Sequence, residues 1–391
     1  MTRGRGGDWW VRRLAPLAAV AVLATGCAQF DDQPAGDFRP NPTLGAGPEV
    51  TPQLPTPPTA PPEPGSPSSP APSATPAPCT DPDPAVVATC LDPTAGLAKL
   101  PGEDGALVAE RRTGRLLRVA PEKAPVELAR VPVDGAADGG LLDVALSPSY
   151  AQDRLIYLYT TTATDNRVVR IAVGDSPKPV LVGIPKGPLH NAGSLAFDAK
   201  GNLLVATGDA GQPAAAADPA SLAGKLLRVT PAGAPAPGNA TPTSPVVASG
   251  LNEPGGVCTD GVTGSSWLTD RGATVDRLRP VSATGAVGEQ VWTWPDRPGV
   301  AGCAAVQGRV SVAVTTGAGL HVLSIGGNGS VTAPPEVLVP GRYGQLYGAD
   351  VGADGVVWAG TVNKTTGAAG PTDDRVVRIQ PPAGQGGASS V

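Results

Sequence analysis

The chain has 391 residues, and its 52 glycines and 46 prolines make a quarter of it the two residues least able to continue a helix, which argues against a mostly helical fold. Apolar residues at 41% suffice for a core, carried by Leu and Val because aromatics supply only 4%. The formal charge is −5, and Arg3, Arg5, Arg12 and Arg13 against Asp8 leave −8 on the remainder; an acidic body without a basic stripe argues against a nucleic-acid partner.

The chain opens Arg-rich up to Arg13, continues with an apolar run from Leu14 to Leu23, and ends this segment with Gly26-Cys27. This reads as an export signal over residues 1–26, too short to span a membrane. Gly-Cys at its end resembles the lipobox of bacterial lipoproteins. That predicts a lipidated Cys27 and a mature chain anchored on the extracytoplasmic face of the cell membrane. Residues 27–78 hold about a third of the prolines and almost no large apolar side chain, so they read as an extended Pro/Ser/Thr-rich linker that cannot bury enough surface to fold.

Four cysteines remain, an even number that in an exported protein favours two disulfides, Cys79–Cys90 and Cys258–Cys303. The first closes a short loop where the linker enters the domain, and the second joins strands that begin neighbouring repeats. No Cys-x-x-Cys occurs, and the only histidines are His190 and His321. His321, on the alternating strand beginning at Leu320, reads as a packed histidine.

From residue 80 onward six windows share one grammar: a turn, a short apolar strand, a polar gap, then a strand with an apolar–Arg–apolar pattern. Val108, Leu158, Val205, Leu268, Val312 and Trp358 mark the equivalent column, at intervals of 50, 47, 63, 44 and 46 residues. Such spacing suits one four-stranded blade per repeat. The expectation is an all-β, six-bladed β-propeller over residues 79–384, followed by a disordered tail over 385–391. A pair of sandwiches would call for a linker in mid-domain, whereas the 63-residue interval reads as one long loop around Pro231–Pro245.

Five motifs, Gly139–Tyr150 (GGLLDVALSPSY), His190–Phe197 (HNAGSLAF), Ala206–Gly211 (ATGDAG), Ser221–Val229 (SLAGKLLRV) and Asp373–Ile379 (DDRVVRI), resemble the glucose/sorbosone dehydrogenase family. Its members are six-bladed propellers, and the enzymatic ones use pyrroloquinoline quinone (PQQ) with Ca2+ at the mouth of the propeller axis to oxidise aldoses. The resemblance implies that His190 is the general base and Asp209 the carboxylate that orients it; moving a hydride onto a quinone requires such a base for the neighbouring hydroxyl proton.

PQQ carries three carboxylates, for which planar arginines are the usual partners. Here the chain departs from the family. Asn252 stands in place of a cationic residue, Thr316 lies where the fifth blade carries a basic one, and Gln345 and Tyr347 replace an Arg-x-Arg pair. Glu253 and Asp270, with Asp276 nearby, are the carboxylates available for calcium. No Gly-x-Ser-x-Gly elbow, phosphate loop or His-Glu-x-x-His is present. Two functions stay open: a membrane-tethered quinoprotein acting on an aldose or related alcohol, and a non-catalytic propeller that binds an envelope glycan or another protein.

Overall fold

The structure, a computed structural model, describes residues 79–366 and 369–382. The expected signal, Cys27, the linker to residue 78 and the tail 385–391 lie outside the described residues. Among the described residues no helix is long and apolar enough to cross a membrane.

Six four-stranded antiparallel sheets follow one another as blades of a β-propeller. Their innermost strands are Thr94–Lys99, Leu141–Leu146, Gly193–Phe197, Glu253–Thr259, Val300–Val306 and Leu346–Val351. Successive inner strands pack side by side, and the sixth returns to the first. The sixth blade takes its outermost strand from the start of the domain: Val86–Ala88 pairs with Val376–Ile379, so the two ends of the domain close the circle. Around this closure Arg375 bridges Asp373 at 2.8 Å and Asp81 at 3.2 Å, while the Tyr343 hydroxyl donates to Asp83 at 2.8 Å. Both expected disulfides are formed; Cys79–Cys90 brackets the closing strand, and Cys258–Cys303 ties the inner strands of blades 4 and 5.

The second strand of each blade explains why so few aromatics suffice. Ile156–Thr161 is buried along its whole length because each of its faces meets a neighbouring blade. Burying one such Leu or Ile contributes about 1.5–3 kcal/mol, and each interblade layer has its own cluster of these residues. Val108, Leu158, Val205, Leu268 and Val312 all face the preceding blade. Trp358 does not: it packs against Val108 of blade 1, the following blade, while Val357 and Ala359 face blade 5. The sixth member of the expected column is therefore one residue out of phase. Adjacent strand residues point to opposite faces, and where both faces are apolar the pattern does not reveal the slip.

The long interval in blade 3 is also not a single loop. It is divided between the connection 208–224, which carries the short helix Pro213–Ala217, and the connection 230–245. His321 is packed as expected, its Nδ1 accepting from Trp294 Nε1 at 3.0 Å, and burial lowers its pKa.

The blades crowd the axis. A Cβ on Gly302 would lie 2.7 Å from the Ala349 nitrogen, and one on Gly348 would lie 2.0 Å from the Ala95 carbonyl, so close inner strands require glycine there. They leave an axial cavity of about 240 Å³ bordered by Asp143, Ser194, Tyr347 and Asp350. Asp143 joins three blades. It accepts from Ser194 Oγ at 2.9 Å and Leu195 N at 2.7 Å, and Ser194 Oγ in turn accepts from Val257 N at 2.9 Å.

Candidate functional site

One face of the propeller is made by the segments leading into the inner strands and the connections between second and third strands. His190 lies on the segment entering blade 3, Asp209 on the connection that follows Leu203–Thr207, and Asn252 immediately before the inner strand of blade 4. These elements interlock through the backbone: Ala210 N donates to the His190 carbonyl at 3.1 Å, and Asp209 N to the Asn252 carbonyl at 2.9 Å. A Cβ on Gly208 would come within 2.0 Å of the His190 carbonyl, so the approach depends on glycine.

His190 adopts φ 56°, a left-handed conformation rare for a residue with a side chain and typical of over-determined functional positions. Its Nδ1 lies 2.8 Å from Asp209 Oδ1. A carboxylate can only accept, so Nδ1 carries the hydrogen, and in the neutral ring the lone pair lies on Nε2. Asp209 is almost wholly buried (side chain 2% exposed), whereas the His190 side chain is 30% exposed, which leaves the imidazole as the reachable partner. Asp209 also accepts from Gly211 N at 2.8 Å and from the Asn252 amide at 2.7 Å. The structure thus brings Asn252 into a triad with His190 and Asp209. Lys225, fully buried, fastens the connection that carries Asp209 by donating Nζ to the carbonyls of Ala215, Ala216 and Ala223 at 2.7–2.9 Å; burial lowers its pKa.

The other expected residues are dispersed around the same face. Glu253 pairs with Arg271, its direct cross-strand neighbour, at 3.0 Å. Arg271 also donates Nε to the Val300 carbonyl at 2.7 Å and lies over the Tyr347 ring, 5.9 Å from its centroid. Burial raises the Tyr347 pKa. Asp270 accepts the backbone N–H groups of Asn252 and Glu253 at 3.1 and 3.0 Å; burial pushes it up to about 6, and Arg277 stands 3.9 Å away. Asp276 accepts from Gly299 N and Val300 N. Thr316 is exposed on a turn of blade 5, and Gln345 donates its amide to Thr366 Oγ1 at 2.8 Å. Among the described residues no three His, Cys, Asp or Glu side chains stand together as a metal cluster.

Sequence reasoning did not find the neighbouring Asn191, whose amide and backbone N–H donate to Asp138 at 2.6 and 3.1 Å, or Arg111, whose Nη1 donates to the Ala137 and Gly139 carbonyls. The only available signal for Asn191 was its place beside His190 in the HNAGSLAF motif.

The Glucose / Sorbosone dehydrogenase family model matches residues 91–293, just over half of the chain. The chain belongs to this family. A solved member, the PQQ-bound aldose sugar dehydrogenase of Streptomyces coelicolor, is 34% identical, with a TM-score of 0.69 over 75% of this chain and 96% of that one. A Thermus thermophilus protein described as a putative oxidoreductase (glucose dehydrogenase) is 32% identical, with a TM-score of 0.67 over 75% of this chain and 98% of its own. The aldose sugar dehydrogenase YliI of Escherichia coli is 32% identical over 203 residues, 46% of this chain and 54% of that protein, so the chain spans about half the length of this curated relative.

Proposed function

We propose that this glucose/sorbosone dehydrogenase family member takes an aldose or related alcohol at the mouth of its axis, with His190 as the general base that accepts a hydroxyl proton. The contact between His190 Nδ1 and the buried Asp209 carries this reading. It leaves Nε2 as acceptor, and Asp209, held by Asn252 and Gly211, fixes the orientation of the ring. The sugar-directed names of the relatives support the substrate class.

PQQ, named for the Streptomyces relative, brings three carboxylates that need cations able to face them. Arg271 is engaged by Glu253, and Arg111 by two carbonyls. The residues present do not fit the group, and no hydride step is assigned to it. That donor set favours a second reading, in which the mouth binds a neutral glycan without oxidising it. We further read the protein as a lipoprotein held through Cys27 on the extracytoplasmic side of the cell membrane, where two disulfides are at home.

Calorimetric titration of D-glucose and other aldoses into wild type and His190→Ala tests the site. The expected result is wild-type binding that weakens several-fold, by about 1 kcal/mol, once the acceptor is removed. A wild type that takes up no aldose, or a variant that binds equally well, refutes the assignment.

A further inference from the structure

We infer that Glu253 and Asn252 close this mouth to tricarboxylate quinones, making it a site for an uncharged polyhydroxylated ligand. The inference rests on the sugar-directed reading of the same mouth and deepens it by naming the two residues that turn such a quinone away.

Three observations converge. First, the donors of Arg271 are committed: Nε to the Val300 carbonyl, Nη1 to Glu253, and Nη2 lies 3.4 Å from both the Gly299 carbonyl and Thr315 Oγ1. An arriving carboxylate must displace Glu253 and then lie against it. Like charges at such distances repel strongly at a partly buried site. Second, the Asn252 amide nitrogen is turned into the base assembly, giving one hydrogen to Asp209 at 2.7 Å and lying 3.3 Å from His190 Nδ1. Third, the charges of the rim do not favour an anion. Asp138 and Glu253, with the buried Asp209 and Asp270 behind them, stand against Arg111, Arg271 and Arg277; Arg277 faces Asp270 at 3.9 Å, and Arg111 is engaged by the carbonyls of Ala137 and Gly139. A neutral polyol meets none of these penalties. Its hydroxyls can donate to Glu253 and to His190 Nε2 without displacing the Arg271 pair.

The test measures binding and does not depend on turnover. Equilibrium dialysis of PQQ, with and without Ca2+, is run on wild type, Glu253→Gln, Asn252→Arg and the double variant, with circular dichroism to confirm folding. Glu253→Gln keeps the side-chain shape and removes the charge that neutralises Arg271, and Asn252→Arg adds a second cation beside it, so two routes probe the same exclusion. The expected result is no saturable wild-type binding up to about 100 µM, and at least a tenfold gain in the double variant. Wild-type binding at micromolar or lower concentration overturns the inference. So does a set of folded variants among which none gains affinity. D-glucose titrated into the same wild-type sample keeps the two readings apart: sugar uptake with PQQ uptake defeats the exclusion alone, and absence of sugar uptake defeats the sugar-directed reading.

Discussion

Replacing Asp143 by Asn should flatten the dependence of stability on pH. Burial in the inner wall pushes this carboxyl up to about 7, opposed by the N–H groups of Leu195 and Val144 and the Ser194 hydroxyl, while Asp350 adds repulsion. Its value in the unfolded chain is the ordinary 3.8. Between those values the folded protein holds a proton that the unfolded chain releases, so raising the pH through this window destabilises the fold, and the full penalty is present above about 7. Three units at about 1.4 kcal/mol each set an upper limit of ~4 kcal/mol. Asp143 borders the axial cavity and keeps some contact with water, which brings the expectation to ~2 kcal/mol. The Asn variant should lose ~1–3 kcal/mol at pH 5, because an amide cannot accept from Val144 N, Ser194 and Leu195 N together. Urea denaturation of both proteins at pH 5 and pH 8 separates the two effects. Wild type should lose about 2 kcal/mol more than the variant across the interval, since the other titrating groups are common to both. Equal losses would refute the assignment of a raised Asp143 to this wall.

Lys225→Met should cost about 2–4 kcal/mol by stranding three buried carbonyls, and should speed amide hydrogen exchange across residues 208–224; a variant with wild-type melting and exchange contradicts the anchoring role. Cys27→Ser should move the protein from the membrane fraction to the soluble fraction of cells, and persistence with the membrane counts against the lipid anchor.

The propeller was legible because its unit repeats, and repetition survives local ambiguity. Leu158, Val205 and Leu268 could be aligned, yet the slip at Trp358 could not be seen, because Val357 and Ala359 on either side are as apolar as their neighbours on the opposite face. The closing strand Val86–Ala88 was hidden by its length: three residues carry no period, and their partner Val376–Ile379 lies at the far end of the domain. At the site, His190 and Asp209 were found through motifs that hold each of them in a short, recognisable run. Their surroundings were not, because contacts such as Asn191 with Asp138 or Asn252 with Asp209 join residues 53 and 43 positions apart, and no local pattern encodes them. The charges of Glu253 and Arg271 were visible singly; only the cross-strand register shows that each cancels the other.

The bracket around the closing strand has a mechanical meaning. Tension arriving along the chain at Cys79 has two routes into the propeller: through residues 80–89, including the three-residue strand whose hydrogen bonds complete the circle, or directly across the sulfur bridge to Cys90. The covalent route is shorter and stiffer, so load passes to Cys90 and on toward the inner strand of blade 1, and the closing strand is left slack in parallel with it. Force applied to the chain at Cys79 therefore tugs on an inner strand packed between neighbouring blades, and the three-residue strand that closes the ring is shielded from it.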